Sequence, residues 1–420
     1  MNIKHRALGV SAVGVLTVVL LAGCGSGSSA GSGPGDGSQA ANTVTVWHYF
    51  SADKQVEVLN NFKEKFEAEN KGVTVKDVFV AQDQFANKVI NAASSQNGPD
   101  IVLYNGGEFA AFAVAGAIKP IDDEWASFQD ADQFPDAAIH RIDDKVYTVQ
   151  GYTNLLGLWC NSDKLDELGL KAPTTLEELE TAMAAAKKVG LNGLTLAGLV
   201  TAPGEWQAYP WLSSQGFDYE SPDEAALAKG FAMVRSWVEK GYVSKEVTTW
   251  DQNVPFSEFL AGKSLCAANG NWQITNAEAN ADFAYTVVPL PIGDSGKVYL
   301  GGESPMIGAF SKNPKLAWKY LESTFYSVEG QLSAAKTSGY IPTRADAAQE
   351  PAIADDELLA PFLSTVKERG ASYPSSALPA DSVFDVQTTV GEAWNAALGG
   401  QQSPQQAAKS VMSLLDSLSR

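Results

Sequence analysis

The sequence predicts an α/β protein of two lobes, and three observations carry that prediction. At 420 residues, with 45% hydrophobic and 10% aromatic content, the chain exceeds the length at which a single core usually divides. Short apolar runs bounded by Gly, Pro and Asn alternate with stretches of helical periodicity, starting as strand, helix, strand. Several of these runs are continuous rather than alternating, as expected of strands covered on both faces of a largely parallel sheet.

The elements follow in order. A strand opens at Thr43, where Val44 and Val46 alternate, and a helix follows between Asp53 and Asn70, with Val56, Leu59, Phe62 and Phe66 on one face. Gly72 breaks it, and Val73, Val75, Val78 and Val80 form the next strand. Ile101 to Leu103 and Leu155 to Cys160 are further apolar strand runs. Leu176, Leu179, Met183, Ala186 and Val189 share a helix face, with Thr174 and Glu177 set as a capping box and Gly190 as the stop. Helical patterns cover Pro222 to Lys240, Pro314 to Thr324, Asp355 to Glu368 and Pro404 to Leu418, and strands are expected near Leu265, Thr286 and Ile307.

The start of the chain is export chemistry. Lys4, His5 and Arg6 precede an apolar stretch from Ala7 to Ala22, too short for the roughly 20 residues of a spanning helix. Leu20, Leu21, Ala22, Gly23 and Cys24 resemble the lipobox of bacterial lipoproteins, in which the cysteine receives a diacylglycerol and becomes the new N-terminus. Residues 1–23 are thus expected as a signal peptide and 24–42, rich in Gly and Ser, as a flexible tether. Cleavage removes two basic residues from a chain of net charge −19, leaving a body that repels nucleic acid and anionic lipid. Of the cysteines, Cys160 and Cys266 remain. An exported protein can bridge them, and both lie in strand-like stretches, so a cross-strand disulfide and two buried thiols are equally compatible.

Enzyme constellations fail on inspection. GSSAG at 27–31 fits G-x-S-x-G but sits in the tether, where no strand-to-helix elbow can form. Gly262, Lys263 and Ser264 look like the end of a phosphate loop, yet Ser257 stands where the first glycine belongs. His48 and His140 alone survive cleavage, too little for a histidine metal site or triad. No enzyme, cofactor or metal is expected.

Sugars present hydroxyls to planar polar groups and an apolar C–H face to aromatic rings. Trp206, Tyr209 and Trp211 cluster in turn-like territory between Pro203 and Gly216, Trp250 adjoins Asp251, and Trp272 follows Gly270 and Asn271. Trp206 and Trp272 are read as ligand contacts and Trp211 as core. Tryptophans in this number imply two or more stacked rings, an oligosaccharide over a monosaccharide.

The segments VTVWHYF (44–50), NFKEKFEAEN (61–70), GPDIVLYNGGEFA (98–110), DKVYTVQGY (144–152), LWCNSDKLDELGLKAPTTLEEL (158–179), FLAGKSLCAANGNWQI (259–274), VVPLPIG (287–293) and SGYIPTR (338–344) stand in a telling order. From Val44 to Leu418 this order resembles family 1 extracellular solute-binding proteins, whose best-known relative is maltose-binding protein. The resemblance implies a two-lobed periplasmic-binding-protein type II fold, each lobe a doubly wound sheet flanked by helices, with a ligand cleft between the lobes. It places the chain in lobe 1 over 43–160 and 301–346 and in lobe 2 over 161–300 and 347–420. Crossings are expected near Asn161, Leu300 and Ala347. Its implied ligand contacts are Trp206, Tyr209 and Trp272, with Tyr49, Tyr104, Asn105 and Glu108 after strands, Glu303 and Arg344 as polar neighbours, and Tyr152 and Asn154; Trp250 and Asp251 join them from the aromatic pattern above. A structural salt link is an equal reading for Arg344.

The chain departs from the family at DKVYTVQ (144–150), where many relatives read G-x-x-Y-G-x-P, and Gly107 and Glu108 replace an acidic and arginine pair, so maltose itself is not carried over. The function implied is capture of an extracellular carbohydrate by hinge closure for an ABC permease, by a monomer held on the outer face of the cell membrane through Cys24. Alternatives are a glycerol phosphodiester or other small polar solute on the same fold, and a surface-anchored carbohydrate-active enzyme.

Overall fold

The computed structural model describes residues 42–418 apart from Ala52 and Thr201. The expected signal peptide, Cys24 and nearly all of the tether lie outside the described residues. The strands are β1 (Thr43–His48), β2 (Thr74–Phe79), β3 (Ile101–Asn105), β4 (Ile139–Ile142), β5 (Lys145–Val149), β6 (Leu156–Asn161), β7 (Asn192–Thr195), β8 (Ser264–Gly270), β9 (Tyr285–Val288), β10 (Val298–Leu300), β11 (Glu303–Ile307) and β12 (Gly370–Ser372).

One four-stranded sheet runs β11-β3-β1-β2, with β1 parallel to β2 and β3, and β11 antiparallel at the edge. Two apolar clusters are built on its strands: Val44, Val46, Phe62, Phe66 and Tyr320 belong to one, Phe85, Val102, Phe112 and Met306 to the other. The second sheet runs β7-β8-β6-β9. Here β6 is antiparallel to both β8 and β9, so the sheet is mixed rather than largely parallel. Every residue of β6 is buried, which is why its sequence reads as a continuous run. Because Leu156–Asn161 pairs wholly within the second sheet, the chain leaves the first sheet ahead of the expected boundary at Asn161. Backbone bridges Thr153 to Ile341 and Asn154 to Gly301 mark where the passages between the lobes lie side by side. From Ile353 onward the buried apolar residues Phe362, Val390, Trp394 and Val411 join the second lobe's core.

Local chemistry sets two corrections. The capping box belongs to Thr175 and Glu178, one residue later than expected, because Thr175 takes the extended backbone of an N-cap and its Oγ1 accepts from Glu178 N at 3.2 Å. Thr174 sits outside the helix, its N–H and hydroxyl both donating to Glu178 Oε2 at 2.8 Å. The stretch expected as turn-like is a helix, Ala202–Ser213, with Pro210 inside it. Trp211 and Leu212 are fully enclosed there, and the helix packs on another, Val383–Gly399. Packing of this kind overrides weak local propensity.

Cys160 and Cys266 are bonded to each other, directly opposite in the β6–β8 register. No helix among the described residues is long and apolar enough to cross a membrane.

Candidate ligand cleft

The first lobe contributes one edge of its sheet. Chain direction places Tyr49 just past β1 and Tyr104 and Asn105 at the end of β3, while antiparallel β11 starts at that same edge, with Glu303 opposite Asn105. Ligand loops of α/β sheets sit at such carboxyl ends. Tyr49 donates to Glu303 Oε1 at 2.5 Å and meets the Tyr104 ring edge-on at 5.0 Å. Asn105 Oδ1 accepts from Gly107 N at 2.8 Å, shaping the short 3-10 turn Gly106–Glu108 that presents Glu108.

The crossings supply a polar junction. Asn154 Nδ2 donates to Glu303 Oε2 at 3.4 Å, and its Oδ1 accepts from Asn271 Nδ2 at 3.0 Å. Asn271 is fully buried; it also donates to Gly339 O and accepts from Leu155 N, each at 2.9 Å. Tyr152 stacks on Tyr340 with centroids 3.9 Å apart. Trp272 is half-buried and packs against the cores of both lobes.

The second lobe raises an aromatic wall. Trp206 lies against Tyr299 at 5.9 Å and meets Tyr373 edge-on at 4.8 Å, and Tyr209 stacks on Tyr299 at 3.9 Å. Behind the wall is Glu205, whose Oε1 accepts from Tyr219 at 2.9 Å and Tyr299 at 2.6 Å. Its Oε2 and the Trp206 Nε1 are buried and have no hydrogen-bond partner among the described residues. The lobes meet closely: a Cβ on Gly301 would lie 2.3 Å from the Trp206 ring, and one on Gly107 2.2 Å from the Tyr373 ring. Only glycine allows these rings to approach the backbone.

The electrostatics are one-sided. Burial pushes the Glu108 and Glu205 carboxyls up to about 7, and Glu303 is raised by burial as well, although the Tyr49 hydrogen bond opposes the rise. None of the three forms an ion pair with Lys or Arg among the described residues. Tyr49 is pushed up by burial first and by the Glu303 charge second.

The sequence-predicted residues therefore divide. Tyr49, Asn154 and Glu303 are joined by hydrogen bonds; Trp206 stands against Gly301, the backbone partner of Asn154, Trp272 adjoins Asn271, and Tyr152 stacks on Tyr340; Tyr209 lies further into the second lobe on Tyr299, Asn105 holds the Gly106–Glu108 turn, and Glu108 acts on Tyr373. Trp250 and Asp251 instead have structural positions: Trp250 is buried in the second lobe's core, and Asp251 is exposed and accepts from the N–H groups of Asn253 and Val254. Arg344 is committed too, with Nε and Nη2 on Asp346 and Nη1 on Asp130 and Tyr326 O. Residues missed from sequence are Glu205, Asn271, Tyr299, Tyr373 and Gln387. Tyr373 precedes Pro374 and Asn271 follows Gly270, the same aromatic-or-amide-beside-breaker signal that singled out Trp206 and Trp272. Glu205, Tyr299 and Gln387 carried no such mark. Among the described residues no cluster of His, Cys, Asp and Glu is placed to hold a metal ion.

Two lobes of mixed sheet and helix with an aromatic and polar bed between them define a binding protein. Residues 61–361 match the family of bacterial extracellular solute-binding proteins, and the chain belongs to that family. Among its relatives, the maltotriose-binding protein of Pyrococcus abyssi is 25% identical over 341 residues, 77% of this chain and 71% of that protein. The multiple sugar-binding protein of Streptococcus mutans is 23% identical over 366 residues, 79% of this chain and 83% of that one. Of solved structures, the GacH receptor of Streptomyces glaucescens superposes with a TM-score of 0.79 at 24% identity, covering 90% of this chain and 99% of that one. Maltose-bound T. maritima MalE3 gives 0.77 at 20% identity, with the same coverage. The fold is thus the two-lobed α/β binding-protein fold.

Proposed function

We propose that this protein is the capture component of a bacterial ABC importer, holding an extracellular carbohydrate, an oligosaccharide, between its lobes and delivering it to a membrane permease without chemical change. The observation that carries this reading is the pairing of an aromatic wall (Trp206, Tyr299, Tyr373) on one lobe with a hydrogen-bonding bed (Tyr49, Asn154, Glu303) on the other. Rings pack on a sugar's C–H face and the bed takes its hydroxyls. The maltotriose-binding and multiple sugar-binding relatives support the ligand class. A glycerol phosphodiester fits less well, because the carboxyls here would repel a phosphate. Contacts made from both lobes would draw the equilibrium toward the closed form that a permease receives.

The test is a thermal-shift screen of Ala40–Arg420, one compact unit, against oligosaccharides of varied linkage and glycerol phosphodiesters. A ligand at 100 times its Kd adds about 2.7 kcal/mol. Trp206→Ala is expected to weaken the sugar that binds by about 30-fold, the loss of a hot-spot anchor of about 2 kcal/mol, measured by calorimetry. A shift with the phosphodiester alone, or release of sugar products, overturns the reading.

Anchoring through Cys24 belongs to the same proposal, supported by the export chemistry of residues 1–23. Cys24→Ser is expected to move the protein from the membrane fraction to the medium; unchanged fractionation on immunoblots counts against a lipid there.

A further inference from the structure

Between the turn Gly106–Glu108 and the helix Val383–Gly399 lies a cavity of about 170 Å³, lined among others by Gly107, Glu108, Val114, Asp381, Phe384 and Gln387. Its charged lining is Glu108 and Asp381, with no Lys or Arg. Gln387 is 2% exposed and its Nε2 has no partner among the described residues, so a polar group made for hydrogen bonding waits at the wall. Val114 and Phe384 are the opposite in kind, large apolar side chains left 63% and 53% exposed at the rim, one from each lobe. The rings of Tyr104 and Tyr373 stand close enough to Glu108 to feel its charge.

We propose that this cavity receives an ammonium group carried by the saccharide, with Glu108 as its counter-ion, so that the protein prefers an amine-bearing saccharide to neutral or acidic ones. The inference rests on the carbohydrate reading above and names the ligand class within it. A half-buried carboxyl without a cationic partner is costly as an anion. Burial holds it partly protonated, and a bound ammonium supplies the missing charge together with a charge-assisted hydrogen bond. Phe384 brings a ring to the cavity and the Tyr373 ring stands against Gly107 of its lining, aromatic surroundings that favour an organic cation over a hydrated metal ion. Gln387 Nε2 is left to donate to a neighbouring hydroxyl of the same sugar unit, and Val114 and Phe384 to cover its C–H surface. Glu205, likewise without a cationic partner, acts on the same Tyr373 ring and adds to the negative field. The whole chain, at net −19, attracts a cationic solute from a distance.

The experiment is calorimetric titration of Ala40–Arg420 at pH 7 with a glucosamine trimer, its N-acetylated counterpart and maltotriose. The amine-bearing trimer is expected to bind at least about tenfold tighter than the other two. Glu108→Gln, nearly isosteric, is expected to erase that preference by weakening the amine-bearing trimer about tenfold, so that the three trimers no longer differ by charge. Asp381→Asn, an exposed substitution that leaves the lobe's packing alone, is expected to reduce the preference by about threefold. Equal or tighter binding of a neutral trimer, or a preference that survives Glu108→Gln, overturns the proposal while leaving carbohydrate capture standing. Binding of no saccharide of any charge overturns both.

Discussion

Removing the bridge between Cys160 and Cys266, as Cys160→Ala with Cys266→Ala, is expected to lower unfolding stability by about 2–5 kcal/mol. The two residues are 106 apart in sequence yet directly opposite in the β6–β8 ladder. In the unfolded chain the bond therefore closes a long loop, and the entropy it withholds grows with loop length. The native side contributes little strain relief in return, since both sulfurs lie in a fully enclosed strand pair that the surrounding side chains hold in register. Urea unfolding of the oxidised protein against the double variant measures the difference, and the slope should also steepen in the variant as its unfolded state expands. Coincident curves would mean that the sheet's packing alone sets the register and that two thiols would serve as well.

The second large effect concerns Glu205, and its sign follows from burial. The folded carboxyl is raised from 4.5 to about 7 because burial outweighs the hydrogen bonds from Tyr299 and Tyr219. Between those two values the folded protein holds a proton that the unfolded chain has released. Stability from this group is therefore fully present below about pH 4.5, falls as pH rises through 7, and stays low above it. A displacement of that size corresponds to about 3 kcal/mol. Glu205→Gln keeps the shape and accepts a hydrogen bond through its amide oxygen but does not titrate. Relative to the native protein, the variant is expected to gain about 3 kcal/mol between pH 5 and pH 8, read as the difference of denaturation midpoints at matched pH. A difference that stays flat with pH would show that Glu205 ionises normally and that the wall is wetter than its enclosure indicates.

Much of this architecture could be read from local pattern. The strands β3 and β6 and the helix Pro404–Leu418 follow the patterns that announced them, a continuous apolar run for strands buried throughout and an apolar stripe for the helix, while β1 and β2 stand where their valines put them although burial along them does not alternate cleanly. The helix Ala202–Ser213 had no such pattern. Glu205, Trp206, Gln207, Tyr209 and Trp211 are all buried, so there is no polar stripe to betray a period of 3.6, and Pro203, Gly204 and Pro210 read as breakers. The site shows the same divide. Trp206 was visible as an aromatic among breakers, whereas Glu205 matters because Tyr299, 94 residues away, donates to it. Partners at that distance leave no mark in a window of neighbouring residues. Arg344 and Asp251 illustrate the converse, polar residues beside suggestive motifs whose groups are spent on ion pairs and a helix start.

Asn271 ties the passages between lobes at one point, its single amide holding Asn154, Leu155 and Gly339 together. Two strips of chain sewn by one stitch act as an axle rather than as two springs. A pivot held at one point leaves less backbone to be ordered when the lobes meet over a solute, and that lowers the cost of capture.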